Sequence, residues 1–248
     1  MWDKKTPAEI KVLASGGKIL ADILKQLTTL VKPGVTGLEL DAKAEALIKA
    51  AQAEPAFRGY RGFPNAVCVS VNSTVVHGIP NNIPFKAGDI VSLDLGLKYQ
   101  GLYTDAALTV SVGRVTKAAD KLIKDTAKAL DLALKQVKPG NDINELGRAI
   151  ESYIKPFGYG IVRDLAGHGV GRAVHEDPWV PNFDYGRDIG KMYPGLVIAI
   201  EPMIILGGDS RVVTASDNWG IESFDRSLTA HFEHTVAVTD TGCLILTK

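Results

Sequence analysis

Four acidic residues and one histidine stand in surroundings that ordinarily exclude charge. Asp94 and Asp105 lie in the stretch SLDLGLKYQGLYTDAALTVSV (92–112), among Leu93, Leu95, Ala106, Leu108 and Val110. Glu201 ends the apolar run Leu196 to Ile200. Glu233 falls in the alternating stretch TAHFEHTVAV, on the face opposite Phe232 and His234, and His168 is flanked by Gly167 and Gly169. Half-buried carboxylates need a shared proton or a cation, because burying them bare costs several kcal/mol apiece. Four carboxylates and an imidazole make a hard, oxygen-rich ligand set suited to two divalent ions such as Mn, Fe, Co or Zn. Two such ions about 3.5 to 4 Å apart bridge a water, lower its pKa and clamp a carbonyl, which is metal-assisted hydrolysis. His77 and His175 remain free as neutral hydrogen-bond donors or proton shuttles, whereas His231 and His234 read as structural side chains. His175-Glu176-Asp177-Pro178 does not continue to a second histidine, which argues against a mononuclear zincin.

The elements that must carry these residues follow from spacing. Alternating runs on either side of Lys98-Tyr99-Gln100-Gly101 read as a β-hairpin. A turn centred between Tyr99 and Gln100 sets Asp94 and Asp105 opposite each other, with Cβ atoms roughly 5 Å apart. Val67 to Val76 reads as two short strands broken at Asn72-Ser73 and leading into His77-Gly78-Ile79-Pro80. Leu196 to Ile200 is a buried strand delivering Glu201, Thr229 to Val238 a strand carrying Glu233, and Cys243 to Leu246 a closing strand. The glycines beside His168 favour irregular or edge backbone. They resemble a dinucleotide loop only superficially, since no strand–loop–helix unit surrounds them. Thr6, Pro7 and Glu9 open a long helix with Ile10, Leu13, Leu20, Ile23, Leu24, Leu27 and Leu30 on one stripe, and a second helix runs from about Gly37 to Gln52.

The pattern then begins again. Val31-Lys32-Pro33-Gly34 recurs as Val137-Lys138-Pro139-Gly140, and at the same offset Glu39, Leu40, Glu45, Ile48 and Lys49 return as Glu145, Leu146, Glu151, Ile154 and Lys155. Gly88 with Asp94 is echoed by Gly195 with Glu201. The chain therefore reads as one α+β domain, 1–248, of two related halves, approximately 1–115 and 116–248. A pseudo-twofold axis relates them, their strands join into a central antiparallel sheet, and helices cover it. A site on the axis collects acids from both halves.

Composition bounds the rest. With 46% hydrophobic and 23% charged residues, 248 residues can bury a large core. The 28 basic and 28 acidic residues cancel, so no global field draws the chain to nucleic acid or an anionic membrane. Two cysteines, Cys68 and Cys243, form neither a CxxC motif nor a disulfide framework, which fits a reducing, cytoplasmic setting. No stretch reaches transmembrane length and the opening MWDKKTPAEI carries no apolar export signal.

The order Asp94, Asp105, His168, Glu201, Glu233, with NAVCVSVNSTVVHGIP before it and RSLTAHFEHTVAVT at the end, closely resembles the type I methionine aminopeptidases, the first subfamily of peptidase family M24. The resemblance covers nearly the whole chain. It implies the pita-bread fold, two divalent metal ions, and hydrolytic removal of the initiator methionine from nascent chains with a small second residue. It implies Asp94 and Asp105 as ligand and bridge of one metal, Glu233 as a second bridge, and His168 with Glu201 completing the other metal. Glu201 also takes the proton of the attacking water. By the same resemblance His175 contacts the scissile carbonyl, and His77 the backbone nitrogen near the leaving group. Tyr60, Phe63, Cys68 and Trp219 line the methionine pocket. The implied partners are nascent polypeptide N-termini and the ribosome, and the implied state is a monomer.

Three positions depart from the family pattern. Val174 stands where many members have Phe, Leu165 where an aromatic or Met is usual, and Phe57 fills a pocket position that varies. Val-His-Glu at 174–176 is more similar to the related X-Pro peptidases. An X-Pro aminopeptidase or dipeptidase, and a non-catalytic pita-bread peptide-binding protein, are the alternatives.

Overall fold

The structure, a computed structural model, describes residues 2–248. Helix α1 (Pro7–Leu30) opens on the capping box expected of its sequence, with the Glu9 N–H donating to Thr6 Oγ1 and the Thr6 N–H donating back to the Glu9 carboxylate. Thr36 and Glu39 repeat the device at α2 (Gly37–Ala50). This helix stops short of Gln52, whose left-handed backbone (φ +56) cannot continue it. Strands β1 (Glu54–Pro55), β2 (Val67–Val71), β3 (Thr74–Val76), β4 (Ile90–Tyr99) and β5 (Leu102–Ser111) follow. The second run contains α3 (Lys117–Leu134), α4 (Asn144–Ile154), β6 (Gly160–Ile161), β7 (Gly167–Gly169), β8 (Glu176–Val180), β9 (Val197–Ile200) and β10 (Met203–Ile205). β11 (Val212–Thr214), β12 (Ile221–Ser223), β13 (Thr229–His231), β14 (His234–Thr239) and β15 (Gly242–Ile245) complete it. No described helix is long and apolar enough to cross a membrane.

The two VKPG segments do the same local work. Gly34 and Gly140 both take left-handed backbone, φ +92 and +84, which a side chain resists. Gly34 donates its N–H to Phe85 and Gly140 to Met192, and the bridges Thr36 to Pro84 and Asp142 to Lys191 match in the same way. One core lies between α1, α2 and the β2/β4/β5 strands, with Leu20, Leu27, Leu40, Leu93 and Leu95 at its centre. The other lies between α3, α4 and β9, β10 and β14, around Leu122, Leu146, Ile150, Ile198 and Val236.

The antiparallel central layer is hydrogen-bonded in segments rather than as one unbroken ladder. β2, β4 and β5 belong to a four-stranded segment, and β15-β14-β9-β7-β8 form a five-stranded one. The shorter segments β13-β10-β6 and β11-β12-β3 flank them. Hydrogen bonds stitch β5 of the four-stranded segment to β14 of the five-stranded one and to β13 of a flanking one. Thr235 Oγ1 accepts from the Asp105 N–H (2.8 Å) and donates to the Asp105 carbonyl (2.7 Å). Thr109 Oγ1 does the same for His231 (2.9 and 2.8 Å), and the Glu233 N–H donates to the Ala107 carbonyl at 2.8 Å. Hydroxyls thus satisfy backbone groups where strand pairing stops.

Candidate active site and metal centre

The hairpin forms as expected but turns one position later. Gln100 and Gly101 both have positive φ (+48 and +85) and Tyr99 pairs with Leu102, the two-residue turn that matches strand twist. Asp94 therefore pairs with Ala107 and Asp105 with Gly96, so the two acids are diagonal neighbours and not directly opposite. The displacement is even, so both still point to the same face. Gly96 leaves room for the Phe57 ring, which a Cβ there would strike.

Glu201 and Glu233 owe their positions to a break in a ladder. Ile200 pairs with His234 and Met203 with His231, and between them Glu201-Pro202 faces Phe232-Glu233 across a break in the ladder that the Phe232 N–H crosses to the Pro202 carbonyl at 3.4 Å. Pro202 has no N–H to continue the pairing. The strand expected over Thr229 to Val238 is for this reason two strands, β13 and β14, interrupted at Phe232-Glu233. The irregular backbone expected around His168 is present as a register shift between His168 and Gly169, but the edge position is not. The His168 segment, β7, is an interior strand between β9 and β8, not an edge. Gly167 and Gly169 are needed because a Cβ at either would strike the Ala199 or Asp177 carbonyl of a neighbouring strand.

These elements deliver every sequence-selected site residue to one cavity of about 360 Å³. Asp105, His168 and Glu233 each offer a ligand atom within 4.8 Å of the others. Glu201 Oε1 lies 3.5 Å from His168 Nε2. His168 Nδ1 meets the Gly169 carbonyl at 2.8 Å, so Nδ1 carries the proton and Nε2 keeps its lone pair for a cation. Asp94 Oδ1 and Asp105 Oδ1 are buried with no hydrogen-bond partner. Burial, then the charge of neighbouring Asp105, pushes Asp94 and Glu233 well above the usual carboxylate range. Burial pushes Asp105 and Glu201 to about 7, with Glu201 adding to the effect on Asp105. Orphaned acceptors, repelling carboxylates and a presented imidazole fit divalent cations.

Around this floor stand neutral histidines and an apolar pocket. Burial lowers His175 to about 3 and His77 to about 4. His175 Nδ1 meets Tyr60 Oη at 2.9 Å and its ring packs 4.2 Å from that of His168, centroid to centroid. His77 holds a left-handed backbone, φ +58. Phe57, Phe63, Cys68 and Val174 are buried together with Tyr60 and Trp219 against them, and Phe63 meets Trp219 edge-on at 5.2 Å.

His234 is structural, bonded to Thr247 at 2.9 Å. His231, read from sequence in the same way, is different. It is 1% exposed, places Nε2 3.4 Å from Glu201 Oε2, and has no hydrogen-bond partner on either ring nitrogen. Its spacing of two from Glu233 was the available signal for a shared face. Trp179 and Met203 also line the cavity; Trp179 gave no warning in the sequence.

The model of metallopeptidase family M24 matches residues 12–240. Methionine aminopeptidase 1 of Bacillus subtilis is 41% identical over 244 residues, covering 98% of each chain. The crystal structure of the Thermotoga maritima methionine aminopeptidase superposes with a TM-score of 0.97 at 41% identity over all of both chains. A Pyrococcus horikoshii prolidase reaches a TM-score of 0.81 at 27% identity, and there the match covers only 63% of its length. Ligand-rich floor, apolar pocket and full-length similarity agree, and the chain belongs to metallopeptidase family M24, on its methionine aminopeptidase branch.

Proposed function

We infer that this chain hydrolyses the N-terminal methionyl bond of nascent polypeptides whose second residue is small. The observation that carries the reading is a single cavity joining the carboxylate floor to a pocket of aromatic and sulfur groups, the surroundings a thioether side chain favours. Asp94, Asp105, His168, Glu201 and Glu233 would hold two divalent ions, of Co, Mn, Fe or Zn, with Asp105 and Glu233 serving both. Such ions, when bound, would supply a water of lowered pKa and polarise a carbonyl.

Tyr60, Phe63, Cys68 and Trp219 receive the methionine side chain and exclude water from it. Tyr60 donates its hydroxyl proton to His175 Nδ1, which keeps the His175 proton on Nε2. From there the neutral imidazole donates to the scissile carbonyl oxygen and stabilises the charge that develops on it. His77 holds the substrate's backbone nitrogen beside the leaving group. Glu201 accepts the proton of the attacking water at a carboxylate oxygen and returns it to the departing amine.

The same reading makes the chain one catalytic domain, 1–248, with related halves over 1–115 and 116–248. It works as a cytoplasmic monomer that meets its substrate at the ribosome. The balance of 28 basic and 28 acidic residues and two free cysteines support that setting. Glu201→Gln tests the chemistry, because it keeps the shape of the side chain and removes the base. Full turnover in a folded Glu201→Gln protein would reject the assignment.

A further inference from the structure

At the rim of the cavity, starting from Trp179 in its wall, the surface carries an aromatic shelf to which the hydrolysis assigns no role. Trp179 and Tyr185 are each 40% exposed, an unusual state for large rings, and they meet edge to face with centroids 5.0 Å apart. Phe183 lies beneath, 6.0 Å from Trp179, and the Arg187 guanidinium sits 4.9 Å above the Tyr185 ring. The shelf is built, not draped. Asn144 Nδ2 donates to Asp184 Oδ1 (2.8 Å), and Arg148 Nε to Asp184 Oδ2 (3.2 Å). The Tyr185 N–H donates to Asn144 Oδ1 (2.7 Å), and the Asp184 N–H to Glu151 Oε2 (2.8 Å). Helix α4 thus holds both ends of the turn that presents Tyr185, so little ordering entropy remains to be lost on binding.

Its position says what it meets. Trp179 pairs directly with His168 across β7 and β8, so the two side chains share a face, and Trp179 forms part of the cavity wall. The neighbouring Val180 turns the other way, into the core. With the methionine side chain among Phe63, Cys68 and Val174, the rest of a substrate passes the remaining wall, which includes His77, Leu165, Met203 and, half-exposed, Trp179. An extended peptide advances about 3.3 Å per residue. Trp179, beside a metal ligand, is then reached just beyond the second residue, and Tyr185 one step later.

We propose that Trp179 and Tyr185 form an extended binding site for the third and fourth residues of the peptide substrate, favouring aromatic side chains there. The proposal rests on the aminopeptidase reading and adds a preference downstream of the bond that is cut. The test is the ratio of kcat/KM for Met-Ala-Phe-Phe to that for Met-Ala-Ser-Ser, in the metal-loaded wild type and in Trp179→Ala and Tyr185→Ala. Because each ratio is internal to one protein, losses of fold or metal cancel. The expected wild-type ratio is about 3 to 10, the range an aromatic contact supplies, falling toward one in both variants. A wild-type ratio near one, or a ratio that survives both substitutions, overturns the shelf. Failure of the wild type to release methionine from either peptide overturns the aminopeptidase reading instead, and the shelf's role with it.

Discussion

Loading the metal-free protein with Mn should release protons, and the number released measures how the site is wired. Burial holds Asp105 and Glu201 at about 7, and raises Asp94 and Glu233 well above the usual carboxylate range. At pH 6 a group that titrates at about 7 is roughly 90% protonated. A cation entering the cluster must displace those protons, so about two to four should leave per protein at that pH. Two such protons make the binding constant rise about thirtyfold from pH 6 to pH 7, equivalent to about 2 kcal/mol, because each group is already half ionised at pH 7. The linked effect on folding has the same origin. Carboxyls raised in the folded state stabilise the metal-free protein fully below their unfolded pKa, about 4, and lose that contribution as pH rises through about 7. Buried neutral histidines act in the opposite sense. His77, His175 and His231 contribute stability above about pH 6.5 that is lost as pH falls toward their depressed values of about 4, 3 and 4. A plain stability curve therefore mixes opposing slopes, whereas a proton count on metal binding reads only the groups that meet the cation, the raised carboxylates foremost. Titration calorimetry in buffers of different ionisation enthalpy, at pH 6 and pH 8, provides it. Release of less than about one proton at pH 6, with affinity flat between pH 6 and 7, would refute the wiring.

Two further outcomes follow from named contacts. Thr235→Val keeps the shape of the side chain but strands the buried N–H and carbonyl of Asp105, which should cost about 2 to 4 kcal/mol of stability in urea unfolding; a loss below about 0.5 kcal/mol would show that the seam does not depend on that hydroxyl. His175→Ala should lower kcat about a hundredfold, and Tyr60→Phe should lower it less, with KM little changed, because only the imidazole tautomer loses its support. Equal kcat in Tyr60→Phe and wild type would remove Tyr60 from that role.

Much of this layout is legible without coordinates because it depends on parity and punctuation. Moving a two-residue turn by one position shifts the cross-strand pairing by two, so the period of two along residues 92–112 kept Asp94 and Asp105 on one face although their pairing changed. The capping boxes at Thr6 and Thr36 are local and read directly. What escaped depends on contacts between distant segments. The break at Phe232-Glu233 arises because Pro202 arrives opposite it, and nothing in residues 229–238 alone announces that partner. The interior place of His168 likewise depends on β8 and β9 closing around it, so glycines that suggest an edge serve tight packing instead. The place of Trp179 in the cavity wall depends on β8 pairing it with His168, a contact between distant segments.

The central claim is metal-dependent release of N-terminal methionine, and its most direct test compares Met-Ala-Ser with an Ala-Pro peptide. Chelator-stripped protein would be titrated with Mn, Fe or Co and assayed on both. The account predicts methionine release from Met-Ala-Ser that is absent without metal and appears on titration, with the Ala-Pro peptide cleaved far more slowly. Cleavage of the Ala-Pro peptide alone, or of neither peptide with metal bound, would contradict it.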